Sequence, residues 1–305
     1  MNINHKFAAI DIGTNAVRLL FYNIYLDLKG EPKFKKVALT RVPIRLGEDV
    51  FATNNISKKK IELLRKTLVA FKNLIDVHEV IDYMACATSA MREAENAEEV
   101  KIYLKKETGI NITTITGDME ADLIYQNHIA ESMNPNRAYL YIDVGGGSTE
   151  LTLFYEGDKR FSESFQVGTV RMLYNKISRE TWDLLKLKCI EIARRYKNIA
   201  AIGSGGNVIK LQKLGGGSEG EPFSRSRLKE VYHDLKELTY EERIRKHGLN
   251  PDRADVIIPA AEIFLFITKH AEIKNIIVPK IGLSDGIIHS MYEEYLQKDK
   301  NFLDH

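Results

Sequence analysis

The sequence predicts a two-part α/β protein, and three observations carry that prediction. Apolar runs of strand length alternate with stretches whose apolar residues recur at helical spacing, the pattern of strands layered against helices. A chain of 305 residues, 44% hydrophobic and 28% charged, is long enough for about two domains with sizeable cores. The chain also restarts: IDVGGGSTELTLFY, from Ile142 to Tyr155, reads as a near copy of IDIGTNAVRLLFY, from Ile10 to Tyr22, with one glycine added. We therefore expect a duplicated chain with domains at 1–125 and 126–305, divided along a long helix near residue 126.

In chain order, Phe7–Ile12 and Val17–Tyr25 read as strands, and Lys35–Leu46 as one or two more. Ser57 then caps a helix whose apolar residues recur at helical spacing. Tyr83–Thr88 reads as a strand, Ala90–Glu107 as a helix with Ser89 as its cap, Ile110–Ile115 as a strand and Asp118–Met133 as a helix. After Asn134-Pro135-Asn136-Arg137 the pattern restarts with strands at 139–144, 151–155 and 160–166, then turns mainly helical beyond Gly168. Asn198–Ile202 reads as a strand leading into a helix at Asn207–Leu214. Asp252–Ala271 reads as a largely buried helix, Asn275–Lys280 as a strand and Leu283–Gln297 as a final helix.

Bulk charge excludes some partners. The net charge is +2, from 44 basic and 42 acidic residues, so no average attraction to nucleic acid or membrane is expected and any anion site must be local. Cys86 and Cys189 lack metal-ligand spacing and read as buried packing in a reducing compartment. No signal or membrane segment is apparent, since Pro259 and Glu262 interrupt the richest apolar stretch, and a cytoplasmic protein is expected. All eight histidines read as structural.

The chemistry concentrates in the turns. Glycine lets a backbone approach a ligand closely, and successive N–H groups can converge into an anion-binding nest, which suits Gly13-Thr14-Asn15 and Gly145-Gly146-Gly147-Ser148-Thr149. The acid ending each preceding strand, Asp11 or Asp143, would repel a bare phosphate, which implies an intervening divalent cation or water. Mg²⁺ is the economical choice, because one or two carboxylates plus phosphate oxygens suffice to bind it; Mn²⁺ is the alternative. Walker and Rossmann loops lead into helices, whereas both of these turns lead into strands, so those readings fail. Gly203-Ser204-Gly205-Gly206 lies between a strand and a helix, where free N–H groups and the helix dipole favour a phosphate. The run Leu214–Pro222 reads as a surface loop.

Six stretches in series carry a resemblance: IDIGTNAVRLL, ATSAMREAEN, TGDMEADLIY, IDVGGGSTEL, QVGTVRM and IGSGGN. In order and spacing the chain resembles the exopolyphosphatase and guanosine pentaphosphate phosphatase family over nearly its whole length, in the family's short two-domain form. The resemblance implies duplicated actin/Hsp70/sugar-kinase-like domains of the ribonuclease H-like type, with phosphate hairpins facing across an interdomain cleft and a last helix crossing back to the first domain. It implies release of terminal orthophosphate from inorganic polyphosphate, or of the 5′-phosphate from pppGpp, with a divalent metal. A homodimer is the family's tendency.

Roles follow position by position from the resemblance. Glu120 falls on the catalytic glutamate, Glu150 on a second essential acid and Asp143 on the acid that helps hold metal or water; either glutamate could be the base. Without that match Glu120 would read as an acid favoured by a helix start. Arg92 falls on a phosphate ligand, suited by its guanidinium fork, and Asn207 belongs to the third glycine motif. Arg18 and Arg45 read as second-line charge or structure, and Arg171 reads as either a site residue or structure. The first and third turns depart from the pattern in their hydroxyl residues while keeping their backbone N–H groups, and Asp285 replaces a usual arginine. The short form implies weak processivity and a preference for short chains or pppGpp. Two other classes remain: a sugar or small-molecule kinase on the same scaffold, and a silent sensor of polyphosphate or an alarmone.

Overall fold

The computed structural model describes residues 4–125, 134, 137–218, 220–279 and 282–303. The expected boundary near residue 126, the helix beyond residue 125 and His128 lie outside the described residues. The chain folds as two compact units, one of Met1–Asn127 with Gly282–His305 and one of His128–Ile281.

The first unit is built on a five-stranded sheet ordered β3-β2-β1-β4-β5, formed by β1 (Asn4–Ile12), β2 (Val17–Leu26), β3 (Pro32–Val42), β4 (Asp82–Ala87) and β5 (Ile112–Thr114). The first three strands are antiparallel; β4 and β5 run parallel to β1. Its helices are α1 (Leu46–Thr53), α2 (Lys58–His78), α3 (Ser89–Glu93), α4 (Ala97–Thr108), α5 (Gly117–Tyr125) and, from the far end of the chain, α13 (Leu283–Leu303). From Phe7 to Ile12, β1 is apolar on both sides except at Asp11, as expected for a strand covered on both faces. Phe7 and Ala9 join Leu20, Tyr22 and Cys86 in a cluster with Ile287, Ile288, Met291 and Tyr292 of α13. Asp11 is on that same strand face, since side chains alternate with period two.

The second unit repeats the plan: β6 (Tyr139–Val144), β7 (Thr149–Tyr155), β8 (Asp158–Phe165), β9 (Ala200–Ser204), β10 (Phe223–Ser224) and β11 (Asn275–Ile277) form a sheet ordered β10-β11-β9-β6-β7-β8. Again three antiparallel strands are followed by parallel β9 and β11, with a short antiparallel β10 at the edge; β6 is in the place of β1 and β9 in the place of β4. Its helices are α6 (Thr169–Leu173), α7 (Arg179–Arg195), α8 (Gly206–Leu214), α9 (Arg225–Lys236), α10 (Tyr240–His247), α11 (Pro251–Ala254) and α12 (Ile257–His270). A core of Leu140, Ile142, Leu151, Leu153, Val208 and Phe264 joins them to the sheet. The mixed α/β class and the duplication both stand. No described helix is long and apolar enough to cross a membrane.

Several boundaries differ from expectation, each for a local reason. The segment 90–107 is two helices, because the Asn96 side chain pairs with both the N–H and the carbonyl of Ile56, each at 2.9 Å, and breaks the run. The strand expected to reach Leu46 ends at Val42; Arg45 adopts φ 59° and starts α1. Ser89 is inside α3, and its hydroxyl meets Thr14 Oγ1 at 2.7 Å instead of capping the helix. The buried stretch from Asp252 is divided into α11 and α12, with Pro259 in the first turn of α12, where its missing N–H costs nothing.

Candidate active site

Each unit presents a four-residue turn between its first two strands. Gly13 N–H donates to the Ala16 carbonyl at 3.1 Å, and Gly145 N–H to the Ser148 carbonyl at 2.9 Å. Ile12 pairs with Val17 across the first turn, and Val144 with Thr149 across the second. The expected extra glycine is therefore absent: the copies align without a gap, residue 13 on 145 through residue 19 on 151. The added residue in the sequence alignment came from matching Tyr22 to Tyr155, which the strand register rules out.

A following helix start fastens each turn. In the first unit, Arg45 N–H donates to Asn15 O and Gly47 N–H to Thr14 O. In the second, Thr169 N–H donates to Gly145 O, while those of Val170 and Arg171 donate to Gly146 O. Arg171, buried, adds Nε to Gly147 O at 2.7 Å. With their carbonyls held this way, the N–H groups of Thr14, Gly146 and Gly147 make no hydrogen bond within the described residues. Successive unpaired N–H groups, as at Gly146 and Gly147, are the makings of an anion nest. The QVGTVRM stretch is thus the brace of the second turn.

Polar side chains near the second turn are mostly committed. Ser148 Oγ donates to Glu150 Oε1 at 2.6 Å, and Ser164 Oγ donates to the same oxygen at 2.8 Å. Thr149, fully buried, donates its hydroxyl to Val167 O at 2.5 Å. Glu150 and Asp143 stand directly opposite on β7 and β6. Like charges opposed in this way repel, and a cation relieves the repulsion. No cluster of three or more metal-ligating side chains occurs among the described residues. Two carboxylates nonetheless fit Mg²⁺, which commonly takes one or two and completes its shell with water and phosphate oxygens.

The third turn lies beside this pair. Gly205 has φ +98°, and a Cβ there would come within 3.4 Å of Asp143 Oδ1. At Gly206 a Cβ would meet the Arg253 guanidinium at 2.7 Å. Asn207 follows in the first turn of α8. Arg253, on α11, is a cation at the start of α8 that the sequence did not reveal, because only the fold brings Asn250-Pro251-Asp252-Arg253 to this turn.

In the first unit, Asp11 meets Arg18 Nη1 at 2.5 Å. Burial, reinforced by the charges of Asp11 and Glu120, pushes the Cys86 thiol up to about 12, so both carboxylates lie within electrostatic reach of one sulfur. Glu120 is buried near the start of α5, its N–H bonded to Thr116 O. Arg92 is half-buried and donates Nη1 to Ile115 O at 2.7 Å, just before α5. Asp11, Thr14, Arg92 and Glu120 thus gather where β1, β4 and β5 end, the position ligands favour in open α/β sheets.

A bifunctional 3-dehydroquinate synthase/phosphatase of Fusobacterium nucleatum is 30% identical over 283 residues, matching 84% of this chain, which spans 42% of that relative's length. Exopolyphosphatase 2 of Mycobacterium tuberculosis is 26% identical over 94% of this chain and 98% of its own. The crystal structure of the Aquifex aeolicus Ppx/GppA family member superposes with a TM-score of 0.76, at 26% identity, over 96% of this chain and 99% of that one. A sequence profile matches residues 26–295, and the chain belongs to the Ppx/GppA phosphatase family.

Proposed function

We propose that the protein is an exopolyphosphatase-type hydrolase that releases terminal orthophosphate from an oligophosphate, with short inorganic polyphosphate favoured and the 5′-phosphate of pppGpp as the second substrate. The observation that carries this reading is the second turn, where Gly146 and Gly147 N–H groups stand beside the opposed acids Asp143 and Glu150. Anhydride hydrolysis requires little more than a positioned phosphoryl group, a positioned water and charge placed where the equatorial oxygens develop it.

The residues divide that work. The turn N–H groups receive phosphoryl oxygens, and their orientation is held by α6 and by Arg171 on Gly147 O. Asp143 and Glu150 would hold Mg²⁺ or Mn²⁺, which when bound neutralises the phosphoryl oxygens. Ser148 and Ser164 fix Oε1 of Glu150 and so orient its other oxygen. Glu120, buried and beside a neutral thiol, is assigned the proton of the attacking water. Arg92 is assigned to non-bridging oxygens of the substrate.

Orthophosphate release from tripolyphosphate, long polyphosphate, pppGpp and ATP, with and without Mg²⁺, tests the reading. We expect metal-dependent release, greatest on the short chain, and a loss of about 10²- to 10⁴-fold in Glu120→Gln and Glu150→Gln. Equal slow release by both variants and the wild type would overturn it in favour of a binding protein.

A further inference from the structure

The two hairpins match in backbone and differ in charge. In the first sheet, register aligns Arg41 on β3, Arg18 on β2, Asp11 on β1 and Cys86 on β4. In the second it aligns Ser164 on β8, Glu150 on β7, Asp143 on β6 and Ser204 on β9. Arg18 therefore stands where Glu150 stands, and Arg41 where Ser164 stands. The first row sets two guanidiniums against one carboxylate; the second sets two carboxylates among hydroxyls. Arg18 Nη1 is already on Asp11 Oδ2, and it would lie 3.8 Å from a Cβ placed at Gly13. The guanidinium thus runs alongside the turn, with 33% of the side chain reaching solvent.

A divalent cation approaching Asp11 meets that guanidinium, whereas one approaching Asp143 and Glu150 relieves a repulsion. We propose that Arg18 is the resident counterion of the first hairpin: it takes the place a divalent cation takes in the second, so the chain binds one such cation, and the first turn receives phosphate oxygens directly on Arg18 and its own N–H groups. This rests on the assignment of the cation to Asp143 and Glu150. A guanidinium suits the task because its planar fork of five donors matches both carboxylate and phosphate oxygens.

The test counts Mn²⁺ bound per chain by the loss of the free-ion paramagnetic resonance signal, without substrate, and measures tripolyphosphate affinity by calorimetry in the presence of chelator. Wild type is expected to bind one Mn²⁺ and Glu150→Gln none. Arg18→Glu, which rebuilds the acid pair in the first hairpin, is expected to bind two. Arg18→Gln is expected to keep one Mn²⁺ while its tripolyphosphate affinity falls about tenfold, the loss of a charge-assisted contact. Two Mn²⁺ on the wild type would overturn the inference and leave the hydrolase reading standing. Zero would remove the Asp143–Glu150 cation assignment and the inference with it. A single Mn²⁺ on a folded Arg18→Glu would also overturn the inference; if that variant does not fold, unchanged tripolyphosphate affinity in Arg18→Gln would do so.

Discussion

Gly168 occupies a place where no side chain fits. A Cβ there would lie 2.5 Å from the Gly146 oxygen and closer still to the Gly147 carbonyl carbon, so the brace and the turn touch backbone to backbone. Gly168→Ala must push them apart. We expect a loss of about 1–3 kcal/mol in denaturant unfolding, the usual range for overpacking, and a larger proportional fall in phosphate release than the stability change explains. Cysteine chemistry gives a second check at this scale: burial pushes both Cys86 and Cys189 up to about 12, so neither should react with a maleimide at pH 8 until denaturant is added. The residue types of the site were legible in the sequence, where Asp11, Asp143, Glu120 and Glu150 all stand in motif. Their pairing was not. That Asp11 faces Arg18 while Asp143 faces Glu150 depends on strand register, and the commitment of the Thr149 hydroxyl to Val167 depends on a loop that returns from the next strand.

The long amphipathic helices were read from spacing, and the short ones were lost. α1 has eight residues and starts at a left-handed Arg45, so its apolar stripe is only Leu46, Val50 and Phe51 and no capping side chain announces it. The break between α3 and α4 rests on two bonds from the Asn96 amide to the Ile56 backbone. Asn96→Ala should cost about 1–3 kcal/mol, the penalty for orphaning buried partners, read as a lower denaturant midpoint. Elements also set a pH response. Burial first, then neighbouring lysines, lowers the pKa of His247 at the end of α10 and of His270 at the end of α12. A histidine held low in the folded state takes up its proton first in the unfolded chain. Stability from both residues is therefore complete above about pH 6.5 and is lost as pH falls through that value. The melting temperature should drop between pH 7 and pH 5.5, and the drop should shrink in the His247→Gln, His270→Gln double variant.

At the scale of the whole molecule, the first unit is completed by the last element of the chain. Asp285 at the start of α13 takes the Tyr22 hydroxyl and the Lys36 ammonium on Oδ1, each at 2.6 Å, and Gly282 N–H on Oδ2. His289 stacks on Phe34 with ring centres 3.8 Å apart, and Tyr292 meets Phe7 edge-on. The sequence flagged Asp285 only as a missing arginine; its role as an anchor needs β2 and β3 in place. Asp285→Asn should destabilise by about 1–3 kcal/mol, since it strips the charge from a buried carboxylate with three donors. Removing everything from Gly282 onward should leave Phe7, Tyr22 and Cys86 uncovered, detectable as binding of a hydrophobic dye at neutral pH. The same feature orders events during synthesis. Because α13 leaves the ribosome after all of the second unit, that unit can close while its neighbour still waits for a cover. The strands β1 to β5 therefore stay an unfinished layer while the second unit is made, and a nascent-chain protease assay should find them cleavable until α13 emerges.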